Sequence, residues 1–105
     1  MNNFLNLLGL ANRAHKIVTG EILIKKIRNN EINLVIIASD ASDNTKKKFI
    51  DKCTSYDVEY ILASNRKELS NAIGKNNRVA VGIQDVGFAK SLKEKIGGWN
   101  YGKTK

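Results

Sequence analysis

The fold is decided by a short apolar stretch, LVIIAS, at residues 34–39. Five consecutive positions are apolar, without the alternation that marks a strand with one face in water. Valine and isoleucine at its centre favour an extended conformation. Five residues are far too few for a membrane span. The stretch therefore predicts a central strand that is buried on both faces, with helices covering each side.

On either side of this strand, helical and extended patterns alternate along the chain. Phe4, Leu7, Leu8 and Ala11 repeat at helical spacing, whereas residues 60–63 and 79–83 have the composition of strands. No linker, repeat or low-complexity block interrupts the alternation, which indicates one α/β unit over residues 1–97. The closing residues 98–105 lack any such pattern and are predicted to be a mobile tail.

A second stretch, IVTGEILIKKIRNN at residues 17–30, predicts a helix that begins near Thr19. Thr19 is the expected N-cap. Glu21, Lys25 and Arg28 are spaced i, i+4, i+7 and so share one exposed face. One interpretation is an ordinary Glu21–Lys25 ion pair, with Glu21 also complementing the positive helix end. The other is that free N–H groups around Gly20 meet phosphates or base edges. The spacing alone supports both.

Charge points to a polyanion as partner. The 105 residues contain 18 Lys plus Arg and 10 Asp plus Glu, a net charge of +8. A run such as Lys46-Lys47-Lys48 is more often simple solvated helix surface than a binding site and decides nothing by itself. The first residues lack the basic start and cleavage site of a secretory signal, so we expect a cytoplasmic protein that does not bind membranes.

Signals for catalysis are weak. Neither a GxxxxGK[ST] loop nor a GxGxxG motif is present, so nucleotide cofactors lack their usual cradle. His15 and Cys53 would make a base and a nucleophile only if the fold joined them. Asp40 and Asp43 follow the central strand, where a phosphoryl or metal site would lie, but they also fit turn and cap positions. A single cysteine excludes a disulfide framework and a thiolate zinc cluster. We expect no enzyme activity, no cofactor and no metal.

Several segments together resemble one known family. They are LGLANRAHKIVTGE (8–21), NLVIIASDAS (33–42), ELSNAIGKNNRVAVGI (68–83) and QDVGFAK (84–90). In this order and spacing they look like the kink-turn RNA binders among ribosomal proteins, namely the large-subunit proteins L-seven-Ae and L-thirty-e and their small bacterial paralogues. The match covers roughly residues 4–96.

The resemblance implies a three-layer α-β-α sandwich around a mixed four-stranded sheet, without catalysis. It implies binding to a sharply bent RNA duplex in which tandem sheared G·A pairs follow a bulge. The implied partner is structured RNA, as a kink-turn in ribosomal RNA, a messenger leader or another non-coding RNA. The ribosome is a further expected partner, and the protein is expected to be a monomer. The implied RNA-binding residues are Thr19, Gly20, Glu21, Lys25, Lys26, Arg28, Ser39, Asp40, Lys75, Asn76, Asn77, Arg78 and Val79.

The chain departs from the best-known family pattern at the helix that reads the RNA. In that pattern a glycine is followed, two and three positions later, by Asn or Lys and then by Glu or Gln. Aligning Thr19 with the glycine puts Glu21 and Ile22 at the polar pair, whereas aligning Gly20 shifts the register by one. An apolar Ile22 weakens the reading of guanine. A protein-interaction module that keeps the fold but has weak RNA affinity is therefore the main alternative function.

Overall fold

The computed structural model describes residues 2–96, so the predicted tail at 98–105 lies outside the described residues. Five helices and four strands alternate in chain order. They are α1 (Asn2–Arg13), β1 (Ile17–Val18), α2 (Glu21–Arg28), β2 (Leu34–Ile37), α3 (Asp43–Ser55), β3 (Tyr60–Leu62), α4 (Arg66–Ala72), β4 (Ala80–Ile83) and α5 (Val86–Ile96). None of the helices within residues 2–96 combines the length and apolar character needed to cross a membrane.

The four strands form one mixed sheet in the order β1-β4-β2-β3. Strand β4 is antiparallel to both of its neighbours, β1 and β2. Strands β2 and β3 are parallel, as expected for strands joined by a crossover helix, here α3. The sheet and its helices confirm the predicted α/β class and the three-layer sandwich with a four-stranded mixed sheet.

The central strand β2 is buried at all four positions, which confirms the prediction from its unbroken apolar run. Its alternate side chains enter two separate cores. Leu34 and Ile36 pack with Phe4 and Leu8 of α1, together with residues of α4 and α5. On the other face, Val35 and Ile37 pack with residues of α2 and α3. Helices thus cover both faces of the sheet, three on one side and two on the other.

The start of α2 differs from the sequence prediction. Helix α2 is preceded by Gly20, with φ 75° and ψ −154°, and no side chain caps it, so Thr19 is not the N-cap. Such a backbone conformation is essentially limited to glycine, which explains why Gly20 stands at this position. Helix α4 follows Asn65, whose side chain accepts a hydrogen bond from the N–H of Glu68 at 2.8 Å.

Three strands are shorter than predicted. β2 ends at Ile37, β3 at Leu62, and β4 begins at Ala80. The chain beyond these ends still hydrogen-bonds, because the N–H of Ala38 donates to the carbonyl of Val79 at 2.8 Å. The N–H of Ser39 donates to the carbonyl of Ser64 at 3.1 Å. The apolar pattern therefore extends past the regular ladder into the loops at this end of the sheet.

Cys53 is fully buried in the core between α3 and the sheet, whereas His15 is exposed after α1. The two residues do not form a base and nucleophile pair, and Cys53 is a core residue. Burial removes water from the thiolate and raises the pKa of the Cys53 thiol from 9.0 to about 12.

We expect the protein to lose stability between pH 9 and about pH 12, partly through Cys53. In this window the unfolded chain releases the thiol proton while the folded chain keeps it, so rising pH favours unfolding. Urea denaturation of the wild type and Cys53→Ala across this window measures the effect. The variant is expected to show a shallower decline with pH. Identical declines would show that Cys53 titrates alike in both states.

Candidate nucleic-acid interface

The start of α2 and the loop before β4 lie side by side and enclose a groove of about 220 Å³. Residues from three segments line it: Gly20, Glu21, Ile24, Lys48, Phe49, Asn77, Arg78, Val79 and Ala80. Five of these residues, at positions 20, 21 and 77–79, are among those implied by the family resemblance. Segments almost 60 positions apart in sequence are therefore joined in one concave surface.

This juxtaposition depends on a close approach between α2 and β4. Gly82, in the middle of the sheet, has no side chain, and Leu23 of α2 fills the space above it. A Cβ atom at Gly82 would lie 2.4 Å from Cδ1 of Leu23 and 3.1 Å from Cδ1 of Ile32. Because α2 sits this close to β4, its first turn reaches the residues that lead into the strand, Val79 and Ala80.

Glu21 presents a free carboxylate to the groove. It lies exposed in the first turn of α2, and no ion pair joins it to Lys25. The structure thus has no Glu21–Lys25 salt bridge, whereas Glu21 does lie at the positive end of the helix, as the first interpretation also expected. Lys25 is exposed and likewise free of an ion pair within the described chain. The carboxylate thus remains available to accept hydrogen bonds from a ligand.

The other basic residues of α2 differ in availability. Arg28 is exposed, and no carboxylate of residues 2–96 pairs with it. Lys26 is half-buried, and its Nζ donates to Oε1 of Glu31 at 2.9 Å. The hydrogen bond and the charge of Lys26 lower the pKa of the Glu31 carboxyl. Lys26 is therefore the least available of the three predicted phosphate-binding residues.

A buried serine holds the loop before β4 in place. Ser70 of α4 is only 4% exposed, and its Oγ accepts from the N–H of Arg78 at 2.8 Å. The same hydroxyl lies 3.2 Å from the carbonyl of Arg78, to which it donates. Both backbone groups of Arg78 are satisfied in this way, which fixes the loop beside α2. Sequence reasoning missed Ser70, although a small polar residue next to buried Leu69 is a signal that could have identified it.

A second concave surface of about 340 Å³ lies on the other side of this loop. Asp40, Asn76 and Asn77 line it together with residues of α4, and Asn77 borders both cavities. Oδ1 of Asp40 accepts from the N–H of Arg66 at 2.8 Å, so this carboxylate ties the start of α4 to the end of β2. Thr19, Ser39 and Lys75 adjoin the two cavities in sequence without lining either.

Asp40 and Asp43, the candidates for a phosphoryl or metal site, both lie where they support the start of a helix. Asp40 anchors α4, and Asp43 lies in the first turn of α3 behind the N-cap Ser42. Within residues 2–96, no three His, Cys, Asp or Glu side chains group so that they could hold a metal ion. Both aspartates thus have structural roles at the starts of helices.

The groove also contains residues that the sequence did not assign to it. Lys48 and Phe49 of α3 line it opposite Glu21. The basic run at positions 46–48 was visible in the sequence, but only the packing of α3 against α2 shows which lysine faces the groove. Lys48 adds a positive charge to the groove that Glu21 also lines.

The structure also indicates how the start of α2 aligns with the best-known family pattern. Gly20 has the conformation that requires glycine, which favours aligning Gly20 with the family glycine. Ile22 and Leu23 then occupy the two positions that are polar in the best-known pattern. Leu23 is fully buried, whereas Ile22 is 57% exposed. In this register Glu21 is the only acidic side chain in the first turn of α2.

Two similar proteins are named RNA-binding protein YlxQ. The one from Bacillus subtilis (strain 168) is 52% identical over 87 residues, which cover 82% of this chain and 87% of that protein. The one from Enterococcus faecium is 48% identical over 95 residues, which cover 90% of this chain and 91% of that protein.

Solved structures show the same fold. A protein of unknown function from Bacillus halodurans superposes with a TM-score of 0.84 at 46% identity, covering 89% of this chain and 95% of that one. The Giardia lamblia 15.5kD RNA binding protein superposes with a TM-score of 0.72 at 22% identity, covering 89% and 81% of the two chains. The model of one protein family matches residues 2–93. The chain belongs to the ribosomal protein L7Ae/L30e/S12e/Gadd45 family.

Proposed function

We propose that this protein is a non-catalytic RNA-binding protein that recognises structured, kink-turn-like RNA. The observation that carries the proposal is the groove in which Gly20 and Glu21, at the start of α2, face Asn77, Arg78 and Val79 of the loop before β4. The YlxQ relatives, which are named as RNA-binding proteins, support RNA as the ligand. The net charge of +8 adds the electrostatic attraction that RNA binding needs.

The first turn of α2 has the chemistry to contact both a base and the backbone. The carboxylate of Glu21 is free to accept from the N–H donors that the edge of a guanine presents. The first N–H groups of a helix have no partner within it, and no side chain caps α2. These N–H groups therefore suit an RNA phosphate, which the positive end of the helix also attracts. Gly20 adds no side chain to obstruct the approach.

The loop before β4 is the second contact region of the proposal. It separates the 220 Å³ groove from the 340 Å³ cavity, and Asn77 borders both. Its backbone is fixed by Ser70, so it presents a preformed surface. We place an unpaired nucleotide of the RNA against Val79 and the polar groups of Asn76 and Asn77, as the family resemblance implies. Readout of an unpaired nucleotide and of distorted pairs is the usual way in which proteins recognise structured RNA.

Crosslinking in cells, followed by sequencing of the recovered RNA, tests the proposal in its broadest form. The expected result is enrichment of RNAs that contain a bulge followed by tandem G·A pairs. A Gly20→Val variant, which disfavours the required backbone conformation, is expected to lose that enrichment. Recovery of no RNA above background would refute the proposal.

Lys25→Ala is expected to reduce the salt dependence of RNA binding. Each lost phosphate contact lowers the slope of log K against log salt concentration by about one. Titrations of a kink-turn RNA at several salt concentrations measure the slope for wild type and variant. Lys90→Ala is the matched control, because Lys90 is an exposed lysine of α5, in the opposite layer. Equal slopes for all three proteins would place Lys25 away from the RNA backbone.

A protein-interaction module remains a second candidate function, and the exposure of Ile22 favours it. An isoleucine that is 57% exposed next to the groove suits an apolar partner surface better than a polar base edge. Ile22→Ser distinguishes the two functions. The RNA function predicts unchanged or tighter RNA binding, whereas the interaction function predicts loss of a protein partner in affinity purification.

The setting of the proposed function is the cytoplasm, where a monomer would bind ribosomal or other structured RNA. Sucrose-gradient fractionation of a cell lysate tests the association with ribosomes. Co-migration with ribosomal subunits that disappears after RNase treatment would support ribosomal RNA as the ligand. Migration with free protein alone would restrict the RNA to other transcripts.

A further inference from the structure

A row of positive side chains follows the seam between α2 and α3. Lys48 of α3 lines the groove that Glu21 and the loop before β4 form. Lys52 is four residues further along α3, so it lies one turn away on the same side of the helix. On α2, Ile24 lines the same groove, and Arg28 lies one turn beyond it. The sides of the two helices that face the seam therefore both carry cations.

Both helices start at the groove end of the sheet and run back over the same face, so their cations continue from the groove along the seam. Strands β1 and β2 are both antiparallel to β4 and therefore point the same way. Helix α2 follows β1 and helix α3 follows β2, and both run back over the same face of the sheet. Lys25 lies next to this line on the exposed face of α2. The row thus begins at the groove and continues away from it for at least one helical turn.

These cations are not held in salt bridges within the described chain. No ion pair joins any of Lys25, Arg28, Lys48 and Lys52 to a carboxylate within residues 2–96. The Nζ atom of Lys48 lies 5.9 Å from the centre of the Phe49 ring, so it stays beside the seam. Cations in a row that form no salt bridges repel one another, and a polyanion relieves this repulsion. Side chains at i, i+4 are about 5–6 Å apart at Cβ, a spacing that suits successive phosphates of one strand.

We infer that Lys48 and Lys52, together with Arg28, bind the phosphate backbone of a duplex stem that flanks the RNA element held in the groove. This inference rests on the proposed function, and it specifies where the RNA continues. The stem would lie over the seam of α2 and α3 and not over the layer formed by α1, α4 and α5. Lys48 and Lys52 then determine how much duplex the protein needs for full affinity.

Salt titrations with charge-neutral variants test the inference. Lys48→Gln and Lys52→Gln are each expected to lower the slope of log K against log salt concentration by about one. Lys47→Gln is the matched control, because Lys47 is exposed on the same helix but lies on the side turned from the seam. Glutamine retains the length of the side chain, and a thermal unfolding scan verifies that each variant is folded. Equal slope changes for all three lysines, or none, would overturn the inference.

A second arm shortens the RNA instead of changing the protein. Removing the flanking stem pair by pair is expected to reduce the affinity of the wild type and to abolish the difference between the wild type and Lys48→Gln. A difference that persists without the stem would overturn the inference. One outcome is a plain duplex that binds as tightly as a kink-turn while Lys48→Gln and Lys52→Gln still lower the salt slope. That result would support phosphate binding by the two lysines and refute the kink-turn proposal. A clear preference for the kink-turn, with the salt slopes of both lysine variants equal to that of the wild type, would refute only the phosphate contacts of Lys48 and Lys52.

Discussion

Replacing Glu21 by alanine is expected to weaken the binding of a kink-turn RNA by roughly 10- to 150-fold, the loss of hydrogen bonds to a charged group. The carboxylate is exposed, has no partner within the described chain and faces the loop that completes the groove. On a duplex without G·A pairs, the same substitution is expected to leave affinity unchanged or slightly higher, because it removes a negative charge from a surface that binds phosphates.

Glu31→Ala is the matched control for this experiment. Glu31 is an exposed acid that follows the same helix, but it lies beyond the far end of α2 and pairs with Lys26. Its removal changes the net charge by the same amount, so it reports the general electrostatic effect. Fluorescence anisotropy with labelled RNAs gives the six affinities that are needed, those of the wild type and the two variants for each of the two RNAs. A similar loss on both RNAs would remove Glu21 as a reader of bases.

Gly82→Ala is expected to destabilise the protein by about 1–3 kcal/mol, the usual consequence of forcing extra atoms into a packed core. The added Cβ would lie 2.4 Å from Cδ1 of Leu23, which is fully buried and has little room to move. Relief requires Leu23 to change its rotamer within the packed core or α2 to shift away from β4, and a shift of α2 would open the groove. Urea denaturation measures the loss of stability, and RNA titration of the folded variant is expected to show weaker binding.

A double-mutant cycle with Leu23→Ala tests whether this contact is the cause. Leu23→Ala alone is expected to destabilise the protein by about 2–5 kcal/mol through the cavity it leaves. In the double variant the new methyl group occupies part of that cavity, so the combined loss should be smaller than the sum of the two single losses. Strictly additive losses would show that Gly82 constrains something other than the approach of α2.

The architecture could be predicted from the sequence because a strand that is buried on both faces is apolar at every position. The unbroken apolar run of β2 predicted helices on each side of the sheet, and Leu34 and Val35 indeed pack into different cores. Strand ends were less predictable, since Ala38 and Val79 remain apolar and hydrogen-bonded after the regular ladder stops. Local patterns report burial well, but they do not report where a ladder of hydrogen bonds ends.

The site was predictable only in part, because a groove depends on contacts between distant segments. Glu21 and the loop at 75–79 were identified from the resemblance, and the structure places Glu21 beside residues 77–79 of that loop. Neither the clamp that Ser70 forms on Arg78 nor the position of Lys48 beside Glu21 follows from any local pattern. Thr19 had the residue type of an N-cap, but the glycine-only conformation at the next residue moved the helix start.

The most direct test compares two RNAs that differ only in the feature proposed to be recognised. One contains a bulge followed by tandem G·A pairs, and in the other Watson–Crick pairs replace the G·A pairs. Anisotropy titrations at one fixed salt concentration keep the general phosphate attraction equal for both RNAs. The proposed function predicts at least about tenfold tighter binding of the first RNA, a free-energy difference of about 1.4 kcal/mol or more. Equal affinities for the two RNAs would contradict it.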